Sequence, residues 1–296
     1  MNYYEEIKSR LIDNEIYSKV KDYSKERNKV ITYFEIGRLL NEVGSVYGEN
    51  VIGKYSKKLQ VEVGKKYNNR TLRRMRQFYR IFSNEKWSAM PTKLTWSHYT
   101  EMLVLEDINE INYYVNISIH QNLTYRQLHD KIKSNEYERL PVETREKLAS
   151  DKESNIVDLV KNSILIKKSN NYEVITEKVL QRLILEDIPS FLDELGDGFT
   201  FIRNEYKIKV GDSWNYIDLL LFNYEYNCFV VVELKVTGLK KEHIGQVKFY
   251  MNYIDNHKKN SNQNKTIGII ICKKDNKYVI EYCSDKRIIA REYELV

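Results

Sequence analysis

Phe229-Val230-Val231-Val232-Glu233-Leu234-Lys235-Val236 is the stretch on which the reading of the fold turns. A β-branched apolar run of this length reads as a strand buried on both faces. Two charges sit at its C-terminal end. Side chains alternate across a strand, so Glu233 and Lys235 share one face and Leu234 takes the other. An ionised carboxylate in a core strand is costly unless a counter-charge or a metal holds it.

The flanking sequence supplies partners. Phe201 to Val210 alternates as a strand, Gly211-Asp212-Ser213 reads as its turn, and Trp214 to Phe222 returns with Asp218 inside it. Asn223 to Asn227 then leads into the Glu233 strand. Asp218 and Glu233 therefore fall on consecutive strands, where two carboxylates repel unless a divalent cation lies between them. Beyond the strand, Thr237-Gly238-Leu239 breaks the run and a helix is expected from Lys240 to Glu242 onward. Gln246 and Tyr250, four apart, share one face of it. Apolar strands are expected again at Thr266 to Cys272, Tyr278 to Tyr282 and Arg287 to Ala290. Taken alone, Glu233-x-Lys235 is as well explained by an ion pair at a strand end, and Asp218 by the cap of a bulge. The ordered combination is what carries chemistry.

That combination resembles the PD-(D/E)XK nuclease superfamily: Asp218, then Glu233-x-Lys235, then Gln246-x-x-x-Tyr250. The wording around it is similar to the YhcG-type branch, through Phe191-Leu192-Asp193-Glu194-Leu195-Gly196, Tyr216-Ile217-Asp218-Leu219-Leu220, Gly245-Gln246 and Phe249-Tyr250. The N-terminal half resembles that branch's helical companion domain, through the run Asn69 to Tyr79 and Leu94-Thr95-Trp96-Ser97-His98. The resemblance implies a restriction-endonuclease-like mixed central sheet flanked by helices, and hydrolysis of a DNA phosphodiester by metal-activated water. Asp218 and Glu233 would ligate Mg²⁺ or Mn²⁺, with the Leu234 carbonyl as a further ligand. Lys235 would orient or deprotonate the attacking water. Gln246 would support the lysine or a phosphate, Tyr250 would line the site, and Glu205 is a candidate outer acid. The chain departs from the pattern at Gln181, where the family often carries an acid. Glu177, one turn earlier, is the nearest substitute, and a second metal site does not follow. Superfamily nucleases often act as dimers, so a homodimer is compatible with the resemblance. A reading from another class is a nucleic-acid-binding adaptor that no longer cuts, a subunit of a defence or recombination assembly.

The run from Arg70 to Arg80 is the second feature. Leu72, Met75, Phe78, Tyr79 and Phe82 make one apolar helical stripe. Arg70, Arg73, Arg74, Arg76, Gln77 and Arg80 take the other side with no acid among them, and Asn68 or Asn69 suits the N-cap. An exposed basic face attracts a phosphate backbone. A solvated face, or arginines paired with acids of the same domain, is the competing reading. With Ile52 to Val63 as a preceding helix, a helix-turn-helix arrangement within a winged-helix-like DNA-binding domain is expected.

Organisation follows. Residues 1 to 140 read as helical, with Gly44, Gly48 and Gly64 as breakers and Tyr33, Ile36, Leu39 and Leu40 as one buried face. Residues 141–175 read as a connector, polar from Pro141 to Asn155. Residues 176–296 form the α/β nuclease domain, opened by a helix over Thr176 to Leu195 in which Pro189 sits awkwardly. Gly48 to Tyr55 nearly matches a phosphate-binding loop, but Tyr55 stands where a Ser or Thr would hold Mg²⁺. No nucleoside triphosphate is expected as a partner.

Composition bounds the rest. The chain has 296 residues and a net charge of +6, enough for two domains and only mildly basic. No apolar run approaches the ~20 residues of a membrane span. The start lacks the basic-then-apolar pattern of a signal peptide, so a cytoplasmic protein is expected. Cys228, Cys272 and Cys283 fall in expected strands without Cys-x-x-Cys spacing and read as reduced thiols. The five histidines make no ligand pattern.

Overall fold

A computed structural model of the protein describes residues 2–19, 24–47, 50–83, 94–150, 158, 160–168, 172–274, 277–281, 283 and 285–296. The chain divides into two compact units, Met1–Tyr137 and Glu138–Val296. No helix among the described residues is long and apolar enough to cross a membrane.

The first unit is helical: α1 (Tyr3–Ser18), α2 (Lys25–Tyr47), α3 (Asn50–Glu62), α4 (Asn69–Phe82), α5 (Trp96–Met102), α6 (Ile108–His120) and α7 (Tyr125–Lys133). Ile7 and Leu11 of α1 meet Tyr33, Ile36, Leu39 and Leu40 of α2 and Leu72 and Met75 of α4 in one core. The helices α2 and α4 touch at Gly37, where a β-carbon would stand 2.2 Å from the Met75 carbonyl oxygen. Gly44 lies inside α2 and is not the breaker that the sequence led us to expect. An added β-carbon there would meet the Arg76 guanidinium at 3.0 Å. Gly48 lies outside the described residues. Gly53 and Lys54 are inside α3, so the near-match to a phosphate loop is helical at its lysine. The helix α3, a turn and α4 follow one another as expected, but the described residues of this unit contain no strand, hence no wing.

The second unit is a sheet between helices. Its strands are β1 (Ile164–Ile166), β2 (Phe199–Val210), β3 (Ser213–Asn223), β4 (Cys228–Gly238), β5 (Ile267–Lys274) and β6 (Ile288–Leu295). Their order is β1-β6-β5-β4-β3-β2. The run β2-β3-β4 is antiparallel, and β4, β5, β6 and β1 are parallel. The helices are α8 (Val142–Ala149), α9 (Glu177–Glu186), α10 (Ile188–Leu195), α11 (Lys241–His257) and α12 (Lys277–Glu281). On one face of the sheet, Leu180, Leu183, Phe191 and Leu195 of α9 and α10 cover Leu219, Leu221, Val230, Val232 and Leu234. On the other, Val247, Tyr250, Met251 and Ile254 of α11 cover Leu220, Val231, Ile270 and Cys272. Helices on both faces are why β4 is a continuous apolar run. The fold is therefore a helical N-terminal region followed by a restriction-endonuclease-like mixed sheet flanked by helices.

Four local expectations change. The helix over 176–195 breaks into α9 and α10: Asp187 caps the second by accepting from the Ser190 N–H at 3.2 Å, and Pro189 sits in its first turn, where a missing N–H costs nothing. Within the expected connector 141–175 lie α8 and the edge strand β1, so residues 164–166 build the sheet rather than lead to it. Arg139 fixes that edge by donating to Glu194 and to the Ser163 carbonyl. The apolar run at Tyr278 to Tyr282 is not a strand; α12 covers most of it. Cys283 consequently lies outside any strand, and Cys228, Cys272 and Cys283 are not joined in disulfides.

Candidate active site

The site forms where β3 and β4 part company. Their ladder runs from Asn223 opposite Cys228 to Leu219 opposite Val232 and stops. Asp218 and Glu233 are the next residues on each strand. The Asp218 carboxylate takes over as acceptor there, receiving the Leu234 N–H at 2.8 Å. On the other side of β3, the residue facing Asp218 is Glu205, whose φ of 45° lies in the left-handed region. Side-chain alternation slips at this point: Ile217 belongs to the core on the α11 side, while Leu219, two residues on, belongs to the α9 side. A non-glycine residue in the left-handed region costs of order 1–3 kcal/mol and recurs at functional sites. Here the irregularity swings Asp218 out of the regular pleat, beside Glu233 and Leu234 in the middle of β4.

Glu233 is buried, and one of its oxygens, Oε2, is buried with no hydrogen-bond partner. The other accepts from Lys235 Nζ at 2.8 Å. The ion pair is thus present, though within β4 rather than at its end, and it leaves the carboxylate half satisfied. Burial, and after it the charge of Asp218, push the Glu233 carboxyl up to about 7. Burial also raises Asp218, against the opposing pull of the Leu234 N–H and Lys235. Burial would lower the Lys235 ammonium; the hydrogen bond and charge of Glu233, with the charges of Glu177 and Asp218, outweigh that and raise it.

Helices close the surroundings. Glu177, in the first turn of α9, lies 3.6 Å from Lys235 Nζ. Gln181 donates its amide to the Asp218 carbonyl at 3.1 Å, so it fixes the backbone of β3 beside the site. On α11, Gln246 donates to the Tyr250 hydroxyl at 3.0 Å, and burial raises that hydroxyl. Sequence reasoning passed over His243, which is lowered by its half-burial and then by the charges of Lys235 and Lys240. Its spacing, one helical turn before Gln246, was the available signal.

This donor set suits a hard divalent cation of low protein coordination. A buried, unpaired carboxylate oxygen beside a second carboxylate is what such an ion satisfies. No group of three or more His, Cys, Asp or Glu set for a metal occurs among the described residues. Two carboxylates with an unpaired buried oxygen fit an ion that keeps several waters, as Mg²⁺ does.

The arginine helix is separate from this cluster in sequence and lies in the first unit. Asn68 caps α4, accepting from the Thr71 N–H at 3.0 Å. Arg70 and Arg73 are exposed and Arg74 half-buried. Arg80 is exposed and donates to the Asn41 side chain at 2.8 Å. Arg76 departs from the expected face: it is 6% exposed and turned toward Gly44 of α2. Gln77 donates to the Leu103 carbonyl and helps dock α4.

Residues 157–296, which carry the acid on β3, Glu-x-Lys on the next strand and the Gln-x-x-x-Tyr helix behind it, match the YhcG PDDEXK nuclease domain family. Residues 12–139 match the DUF1016 N-terminal domain. By these two matches the chain carries a DUF1016 N-terminal domain followed by a YhcG PDDEXK nuclease domain. A relative from Escherichia coli (strain K12), named "Putative nuclease YhcG", is 24% identical over 284 residues, 81% of this chain and 76% of that protein. Among solved structures, a repair endonuclease from Pyrococcus abyssi is 18% identical over 43% of this chain and 49% of its own, with a TM-score of 0.29. An EndoMS–dsDNA complex is 19% identical over 44% and 49%, with a TM-score of 0.28. The chain spans about half the length of these two structures.

Proposed function

We propose that the protein is a divalent-metal-dependent deoxyribonuclease that hydrolyses phosphodiester bonds. The observation that carries this reading is the half-satisfied carboxylate of Glu233, buried beside Asp218 and Lys235. Asp218, Glu233 and the Leu234 carbonyl would hold Mg²⁺ or Mn²⁺. When bound, the ion supplies Lewis acidity to a phosphoryl oxygen and lowers the pKa of a water.

The remaining work falls to side chains of this chain. Lys235 brings positive charge to the phosphate under attack. Were Glu233 a ligand of that ion, its ion pair with Lys235 would weaken; the ammonium would then release its proton to solvent more readily, leaving an amine able to take one from the attacking water. Glu177 holds the other side of the Lys235 ammonium. Gln246 and Tyr250 orient each other beside the scissile group. Gln181 keeps the Asp218 backbone in place. Arg70, Arg73 and Arg74 on α4 have no hydrogen-bond or ion-pair partner among the described residues, and with Arg80 they would contact DNA phosphates in register with no particular sequence. No bound nucleoside triphosphate enters this chemistry.

Incubation of labelled DNA with the full chain, with Mg²⁺ or Mn²⁺ and with a chelator, tests the reading. Cleavage with metal and none with chelator is expected. Binding without cleavage under both metals would replace it with the adaptor reading.

A further inference from the structure

The β2–β3 hairpin outruns the sheet. Pairing of β3 with β4 stops at Leu219, whereas pairing of β2 with β3 continues to Val210 opposite Ser213 around the Gly211-Asp212 turn. Beyond Asp218 the hairpin is a two-stranded arm. One side of the arm, through Tyr206, Ile208 and Ile217, packs into the core under α11. The register sets Lys207 opposite Tyr216 and Lys209 opposite Trp214. By alternation these four lie together on the other side. That side carries two large aromatics half in water, Trp214 at 52% and Tyr216 at 50% exposure. Lys207 Nζ stands 3.9 Å and Lys209 Nζ 5.5 Å from the centre of the indole ring.

An exposed indole costs solvation and contributes little to a core, so the arm does not need it for folding. Two ammonium groups and two ring faces, with no acid between them, match one kind of ligand well. Unpaired nucleotides offer a phosphate for each cation and a base face for each ring. Intact duplex hides its base faces in the stack and would use only the lysines. Position strengthens the match: two residues inward from Lys207 and Tyr216 come Glu205 and Asp218. A strand lying along this side of the arm runs toward the acids of the site.

We propose that the Lys207, Lys209, Trp214 and Tyr216 side of the arm is a stacking platform for unpaired nucleotides, so that the favoured substrate is single-stranded or splayed nucleic acid next to the cleavage site. The inference deepens the nuclease reading and rests on it for the meaning of the neighbouring acids.

Binding is measurable without catalysis, which keeps the two apart. The full chain, in chelator, is titrated into a labelled oligothymidylate and into the same strand annealed to oligoadenylate, with fluorescence anisotropy as the readout. Trp214→Ala should weaken binding to the single strand about tenfold and to the duplex less than about twofold, within the range of one base–aromatic stack removed. Trp214→Phe should restore most of the difference, and an unchanged melting temperature would show that the arm still folds. Equal losses on both ligands, or none on the single strand, would overturn the platform. A change in oligomeric state with unchanged single-strand binding would overturn it too, assigning the face to a second copy of the chain. Absence of metal-dependent cleavage by the wild type, with the Trp214 effect intact, would instead count against the nuclease reading alone.

Discussion

The arginine face of α4 and the carboxylate pair of β3 and β4 are both dense in charge, yet one stands largely in water and the other in the core. Arg70, Arg73 and Arg80 keep their hydration, so their repulsion is screened and the helix tolerates them. Glu233 has lost its hydration and half-buried Asp218 part of it, and each is pushed toward its protonated form by burial. A surface array can be kept for affinity at little cost to the fold. A buried, half-paired carboxylate is destabilising in the metal-free protein, so its retention in a strand that otherwise reads Val-Val-Val points to chemistry. The contrast predicts that removing the buried charges alters cutting and stability, while removing the exposed ones alters binding.

The largest effects fall on the buried side. Glu233→Gln and Asp218→Ala should abolish cleavage while leaving DNA affinity in chelator nearly unchanged. Lys235→Ala should slow single-turnover cleavage about a hundred- to ten-thousand-fold, the usual range for a positioned proton-transfer group. Lys235→Arg should rescue little, because a guanidinium does not give up its proton in this range. Wild-type rates from a folded Lys235→Ala protein would break the comparison at its centre.

Binding comes next. Arg70, Arg73 and Arg74 changed together to Ala should weaken DNA binding across sequences. The same change should flatten the salt dependence by about one unit of slope for each phosphate that is no longer neutralised. Arg76 is the internal control. Being buried against α2, Arg76→Ala should lower stability by roughly 0.5–3 kcal/mol and leave the salt slope alone. An unchanged slope in the triple variant would make the exposed arginines a solvated face only.

The smallest expected effect is a pH dependence. Glu233 rises from 4.5 in an unfolded chain to about 7 in the folded, metal-free protein. The folded state then holds a proton that the unfolded state has released, so this group's contribution to stability is full below pH 4.5 and is lost as pH rises through about 7. Thermal melts in chelator should fall across that window, and Glu233→Gln should flatten the fall. A rise in melting temperature over the same window, traced to Glu233 by the variant, would contradict the burial described for it.

Much of the second unit was legible because its elements are long and locally consistent. The β4 run, the hairpin around Gly211 and the helix carrying Gln246 and Tyr250 each announce themselves by periodicity. What escaped depended on contacts distant in sequence or on the backbone. Ile164 to Ile166 is too short to read as a strand and is one only because β6 offers it an edge. The apolar Tyr278-Val279-Ile280 has strand composition, but its segment is helical, α12 packing Val279 and Ile280 against the α11-side core. Arg76 looked like its neighbours on a helical projection, and nothing in residue type shows that it turns inward against Gly44 across the α2 interface. The slip in alternation at Glu205 and Asp218 leaves no trace in residue type, since nothing about a glutamate announces a positive φ. The residues that gather at the site could thus be singled out from the sequence, while the backbone device that turns Asp218 toward Glu233 could not.

Calorimetric titration of Mn²⁺ into the wild type and into Glu233→Gln at pH 8, above the Glu233 transition, tests the central claim most directly. The account predicts one ion bound per chain by the wild type, with proton release that shrinks as the starting pH rises, and no binding at that site by the variant. Equal binding by the two proteins, or none by the wild type, would contradict the assignment of Asp218 and Glu233 as a metal site.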